Sequence, residues 1–139
     1  MEITTKPFTI ENYESVIELW EETEGIVLSD TDEIKPMKLF LARNPGLSLL
    51  AYHQNMLIGA ILCSHDGRRG YLHHLAVKIE FRNQKVGSYL VKKCLEKLSE
   101  EGIKKCNIFI LDENDKGMKF WEKNGFKLLP HYGWMQHFD

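Results

Sequence analysis

Cysteine is scarce in this chain, and what there is lacks pattern. The 139 residues include three, Cys63, Cys94 and Cys106, an odd number with no C-x-x-C spacing. That argues against a disulfide framework and against a zinc site, so the thiols read as reduced, as in a cytoplasmic protein. Long apolar runs are lacking as well: none approaches the roughly 18 residues that span a bilayer. The opening MEITTKPFTI has neither the cationic start nor the apolar stretch of a secretory leader. Charge of one sign is missing too. With 18 Lys and Arg against 20 Asp and Glu, a net charge of −2 leaves no basic excess for nucleic acid. Neither G-x-G-x-x-G nor a Walker A pattern occurs, which argues against a Rossmann repeat and a P-loop. No repeat or long linker divides the chain, so one domain over residues 1–139 with a real core is expected.

The elements that are there follow from periodicity and punctuation. Residues 1–9 alternate weakly and read as a first strand. Tyr13, Val16, Ile17 and Trp20 fall at helical spacing, with Gly25 as a stop. Residues 29–46 read as a second helix with Ser29 or Asp30 as cap, Met37, Phe40 and Leu41 as apolar face, and Pro45-Gly46 as terminator. Residues 47–54 and 56–64 read as a hairpin turning at Gln54-Asn55, and Asp66-Gly67 marks the next turn. Residues 71–77 form a fourth strand. From Val86 the residues Val86, Leu90, Cys94 and Leu98 define a helical stripe that Gly102 ends. Residues 105–111 predict a strand, 114–125 a short helix stopped by Gly125, and 126–138 a terminal strand or hairpin. The order β-α-α-β-β-β-α-β-α-β implies an α/β (α+β) domain, its mixed sheet flanked by helices on both faces.

The loop FRNQKVGS, between the fourth strand and the helix that starts at Val86, suits an anion. Backbone N–H groups at a helix start have no intrahelical partner, and the helix dipole adds partial positive charge. Arg82 and Lys85 add full charges, Gly87 lets a ligand approach the backbone, and Ser88 offers a further donor. An ordinary strand-to-helix connection shares most of these features.

The segment LAVKIEFRNQKVGSYL, residues 75–90, resembles the acetyl-CoA-binding motif of the GCN5-related N-acetyltransferase (GNAT) superfamily. That motif is an apolar strand, a turn, then Arg/Gln-x-x-Gly-x-Gly/Ala at a helix start. Arg82 and Gly87 match its first and last positions, and Lys85 stands at its middle glycine. NDKGMKFWEKNGF, residues 114–126, resembles the family's second signature, Asn-x-x-Ala-x-x-Phe-Tyr-Glu-Lys-x-Gly-Phe. RNPGLS and HDGRRGYLHHLAV are similar to a YpeA-like bacterial subgroup, so the resemblance covers nearly the whole chain.

The resemblance implies a GNAT-like, mostly antiparallel sheet and an enzyme that moves an acetyl group from acetyl-CoA to a primary amine by direct attack in a ternary complex. It places the acyl donor on Leu75, Ala76 and Val77 of the fourth strand and on Arg82, Asn83, Gln84, Lys85, Val86, Gly87 and Ser88 of the loop. In the second signature it adds Asn114, Gly117, Phe120, Trp121 and Lys123. Trp121 stands where many relatives carry the tyrosine that protonates the departing thiolate, a role open to Tyr132. An amine with a pKa of about 10.4 must lose a proton before attack, and histidine is the natural base near neutral pH. His73 and His74 are the candidates. Strict strand alternation puts Tyr71, His73, Leu75 and Val77 on one face and Leu72, His74 and Ala76 on the other, and the resemblance favours His73.

The resemblance places the acceptor beside the region after the first helix and beside the end of the sheet, 131–138. Trp20, Glu21, Glu22, Glu24 and Asp30 make the first of these fit for a cationic amine, either a small molecule or a protein N-terminus or lysine. No metal is expected, since His65, His73 and His74 show no metal-ligand spacing, and the charge balance and short apolar runs leave neither nucleic acid nor a membrane expected. A homodimer would fit the resemblance. The alternative is a GNAT-like module that binds CoA without catalysis, for which Lys85 and Trp121 speak.

Overall fold

The computed structural model describes residues 1–139, which fall into two compact units, Met1–Phe109 and Ile110–Asp139. The first holds β1 (Thr4–Pro7), α1 (Tyr13–Glu22), α2 (Ile34–Arg43), β2 (Leu49–His53), β3 (Met56–His65), β4 (Arg69–Val77), α3 (Val86–Glu100) and β5 (Lys105–Asn107). Single 3-10 turns occupy Ile10–Asn12, Asp30–Asp32 and Ile79–Phe81. The second unit holds α4 (Asp115–Lys123). No helix is long and apolar enough to cross a membrane.

The sheet runs β1-β2-β3-β4-β5 in space, antiparallel through β4 and parallel between β4 and β5. Gln54 and Asn55 turn the β2–β3 hairpin with φ of 48° and 68°, the left-handed pair that a two-residue turn between twisted strands requires. At the next turn Asp66 Oδ1 accepts the N–H groups of Arg68 at 2.8 Å and Arg69 at 2.9 Å, and both hold its carboxyl below the usual range.

Alternation along β3 separates two cores. Ala60 and Leu62 face α1 and α2, where they pack with Phe8, Val16, Leu19, Trp20, Met37, Leu50 and Ala76. Gly59 faces α3, and a Cβ there would lie 3.1 Å from Leu90 Cδ1. On β4, a Cβ at Gly70 would sit 2.6 Å from Leu98 Cδ1. The absent side chains let α3 lie close to the sheet, which buries the expected stripe of Val86, Leu90, Val91, Cys94 and Leu98. Helices therefore cover both faces, as the pattern implied.

Three expectations are corrected. Ser29 caps the 3-10 turn Asp30–Asp32, and α2 begins only at Ile34. β5 ends at Asn107 instead of running to residue 111, because its ladder with β4 stops at Tyr71↔Asn107, just before β4 bends. Residues 126–138 form no strand, so the order ends at α4. Pro130 cannot donate to a ladder, and the apolar residues of this stretch follow neither a two-residue nor a helical period.

Candidate active site

A bulge in β4 decides where its side chains point. Leu62 pairs with His73 and Ala60 with Ala76, so Ile61 alone opposes both His74 and Leu75. His74 absorbs the extra residue with φ of 51°. Before the bulge, Gly70 faces α3, so Tyr71 and His73 face the α1–α2 side. After it, Ala76 belongs to the α1–α2 core. His74 turns to that side as well, its ring 4.9 Å from that of Trp20. The strict alternation expected for this strand is thus overturned: Tyr71, His73, His74 and Ala76 share a side, and both histidines are presented together.

The two imidazoles sit differently. His73 lies in a stack with Tyr71 and Phe109, ring centroids 6.4 and 6.1 Å away. Burial first, and neighbouring His74 second, push its imidazole below the usual histidine range, while Asp32 pulls the other way. His74 has partners on both its backbone and its ring. Its carbonyl accepts the Trp20 indole N–H at 2.9 Å, and its Nε2 lies 3.0 Å from Asp32 Oδ1. Asp32 is buried, with 7% of its surface exposed. Its Oδ2 accepts the Ser29 N–H at 3.0 Å, and its carbonyl accepts the Tyr13 hydroxyl at 2.6 Å. Burial and then Asp32 raise the Tyr13 phenol above its ordinary value, which keeps it a donor. Sequence reasoning missed Asp32. Its signal was the S-x-x-D spacing of Ser29 and Asp32, a capping pattern that can bury the acid.

Past the bulge, Lys78 N–H bonds Ile58 O at 2.7 Å, so Val77 turns its own backbone groups away from β3. On that side β5 pairs only with residues 69–71. Arg82 Nε donates to Val77 O at 3.0 Å, which ties the loop to the strand end. Asn83 and Lys85 have φ of 61° and 67°, so at the motif's middle-glycine position Lys85, the N-cap of α3, holds a left-handed backbone that glycine adopts freely. The first α3 bond is Tyr89 N–H to Lys85 O at 3.0 Å, so the N–H groups of Val86, Gly87 and Ser88 precede all intrahelical pairing. Arg82, Asn83, Gln84 and Lys85 are exposed, whereas Val86 and Gly87 are buried. Gly87 is therefore enclosed in the first turn of α3.

Known proteins are similar to this chain in sequence and in fold. Residues 13–126 match the model of the acetyltransferase (GNAT) family. The chain belongs to that family. An acetyltransferase of Pectobacterium atrosepticum is 27% identical over 116 residues, covering 84% of this chain and 82% of the relative. One of Yersinia enterocolitica is 29% identical over the same length and coverage. Among solved structures, the PaiA N-acetyltransferase of Thermoplasma acidophilum in complex with coenzyme A superposes with a TM-score of 0.80 at 24% identity, covering 96% of this chain and 94% of that one. A chain of the NatC complex bound to Gag peptide and CoA gives 0.78 at 27%, covering 93% and 87%.

The other GNAT positions expected from sequence fall in both units. Trp20 has no exposed surface and its N–H is engaged by His74, so it is a core residue that braces β4 and not a wall for a substrate. Glu21, Glu22, Glu24 and Asp30 are exposed. Tyr71 borders an open cleft of about 330 Å³ together with Phe40, Arg43 and Ser64. In the second unit Asn114 Oδ1 accepts Gly117 N–H at 2.9 Å and caps α4. A Cβ at Gly117 would lie 2.3 Å from Asn114 Nδ2, so glycine there protects the cap. Trp121 packs edge-on against Phe120 and Phe126, with ring centroids 5.1 Å away in each case. Lys123 lies in the last turn of α4. Tyr132 is 81% exposed and belongs to no element, so nothing in its own unit holds it for proton transfer.

Proposed function

We propose that this protein is an N-acetyltransferase that moves an acetyl group from acetyl-CoA to a primary amine by direct attack in a ternary complex. The observation that carries this reading is one continuous stretch, residues 73–88. Two imidazoles on one side are followed by a strand edge free of β5 and then by open N–H groups at a helix start. That start, with the exposed Arg82 and Lys85, suits a pyrophosphate. The Val77 N–H, which faces away from β3, with Leu75 and Ala76 beside it, suits the amide-bearing arm of the same molecule. Asn83, Gln84 and Ser88 add polar donors, and the resemblance of the second signature assigns Asn114, Gly117, Phe120, Trp121 and Lys123 to donor binding as well. The family match spans both units, which we take as one functional domain.

In the proposed reaction an acceptor ammonium first gives a proton to an imidazole, His73 or His74. The neutral nitrogen then bonds to the thioester carbonyl carbon, and the carbon–sulfur bond breaks with its electron pair on sulfur. The amide nitrogen loses its second proton to solvent, and the thiolate needs no dedicated acid. Burial lowers the His73 imidazole below the usual histidine range, so the choice between the two rings rests on what orients each of them. The exposed acids Glu21, Glu24 and Asp30 favour a cationic acceptor. The NatC complex, a chain of which is similar to this one, is bound to a peptide, which makes a peptide amine a fitting first choice.

Thiol release from acetyl-CoA in the presence of spermidine or of a peptide with a free N-terminus tests this reading. Turnover with either amine is expected. Tight acetyl-CoA binding without thiol release would favour the non-catalytic module instead.

A further inference from the structure

The family's reaction needs a group that takes a proton from the acceptor, and two adjacent histidines compete for that role. They differ in what fixes them. No hydrogen bond orients the His73 ring; the aromatic stack sets its plane and leaves its tautomer free. His74 is fixed at three points. Trp20 holds its carbonyl, the bulge sets its backbone at φ of 51°, and Asp32 holds Nε2.

A carboxylate accepts hydrogen bonds and cannot donate them, so the Asp32 contact requires the proton of neutral His74 to sit on Nε2. Nδ1 is then the basic nitrogen. It has no partner in the protein, and no side-chain nitrogen or oxygen without a partner is sealed from solvent, so Nδ1 reaches water. Asp32 is itself fixed. Its second oxygen takes the Ser29 N–H, and its carbonyl takes the Tyr13 hydroxyl. The titratable groups that face His74 are Asp32 from the 3-10 turn, His73 from its own strand and Tyr13 behind Asp32 from α1.

We propose that Asp32 and His74 form an orienting pair in which Asp32 fixes the His74 tautomer and His74 Nδ1 takes the proton from the acceptor ammonium. Asp32 is the positioning residue, and His74 is the base. One proton moves from nitrogen to nitrogen, and His74 gains a charge that Asp32 offsets. The bulge has a purpose in this arrangement: without it, alternation would turn His74 toward α3 and away from Asp32. His73 then serves as the neutral aromatic neighbour that shapes the approach. The proposal rests on the amine acetyltransferase reading above and deepens it.

The test combines spectroscopy with kinetics. In protein labelled with 15N-histidine at pH 8, the His74 ring should show the Nε2–H tautomer, and Asp32→Asn should convert it to a mixture. With spermidine or the free peptide as acceptor, whichever turns over, Asp32→Asn should lower kcat at least tenfold. The KM for acetyl-CoA should stay unchanged, and the acid limb of the pH–rate profile should move. His74→Gln should cost at least as much, and the double variant no more than His74→Gln alone, because the two act as one unit. His73→Gln should cost less than His74→Gln.

An Nδ1–H tautomer in the wild type overturns the pairing. So does an Asp32→Asn variant with wild-type kcat, or one that loses acetyl-CoA affinity and melting temperature with an unmoved pH profile. If the wild type turns over neither amine, the function reading fails, and the tautomer measurement, which needs no acceptor, still decides the Asp32 pairing.

Discussion

His73 keeps its neutral form because burial and His74 both oppose a charge there. The consequence for stability has a definite sign. With a folded pKa below the ordinary 6.5, the unfolded chain binds a proton that the folded chain refuses. Stability from this group is therefore complete above about pH 6.5, falls as the pH drops below it, and is fully lost beneath the folded value. His73→Phe keeps the stack with Tyr71 and Phe109 and removes the titration. The melting temperature should drop less between pH 7.5 and 5.5 in His73→Phe than in the wild type; an equal drop would contradict the buried-neutral assignment.

Lys85 shows a second balance at the same scale. Its left-handed backbone costs roughly 1 kcal/mol for a residue with a Cβ. Glycine would remove that strain but lose about 0.5–1 kcal/mol through the extra freedom of the unfolded chain. Lys85→Gly should therefore change stability by less than about 1 kcal/mol in a denaturant titration, and lysine keeps a charge that glycine would not supply. Hydrogen bonding to Cys94 and burial raise Cys63 far above the ordinary thiol range, and burial pushes Cys106 up to about 12. Native protein at pH 7.5 should resist a thiol reagent that modifies the denatured chain completely; rapid native labelling would place a thiolate where none is expected.

At the scale of elements, α3 and β4 show what the residues could and could not announce. The α3 stripe, the Gln54-Asn55 turn and the Asp66-Gly67 turn were legible, because each rests on local periodicity or on a backbone conformation that few residues adopt. The β4 bulge was not legible. YLHHLAV alternates no differently from a flat strand, and the extra residue is held by Trp20 and Asp32, far away in sequence. The face assignment failed with it, as did the reading of Trp20 as an acceptor contact, since an aromatic residue at helical spacing looks the same whether it lines a core or a cleft. The expected terminal strand fails for a similar cause: a strand exists only with a neighbour, which local sequence does not specify, and residues 126–138 form none. The α3–β4 contact makes its own prediction. Gly70→Ala would force Leu98 to move, at a cost of about 1–3 kcal/mol in chemical denaturation. A neutral effect would mean that α3 lies farther from the sheet.

For the whole molecule, the central claim is that the start of α3 receives the phosphates of acetyl-CoA. Gly87 is a poor probe because it is buried, so a charge placed there would disturb packing as well as binding. Lys85 is exposed and precedes the open N–H groups directly. Reversing its charge isolates the electrostatic term, because glutamate there keeps a Cβ in the same backbone region. The decisive measurement is calorimetric titration of acetyl-CoA into the wild type and into Lys85→Glu, alongside their melting curves. We expect saturable binding by the wild type, a dissociation constant at least tenfold higher for Lys85→Glu, and matching melting curves without ligand. Equal affinities, or no binding to the wild type at millimolar ligand, would contradict the assignment of the phosphate site to residues 82–88.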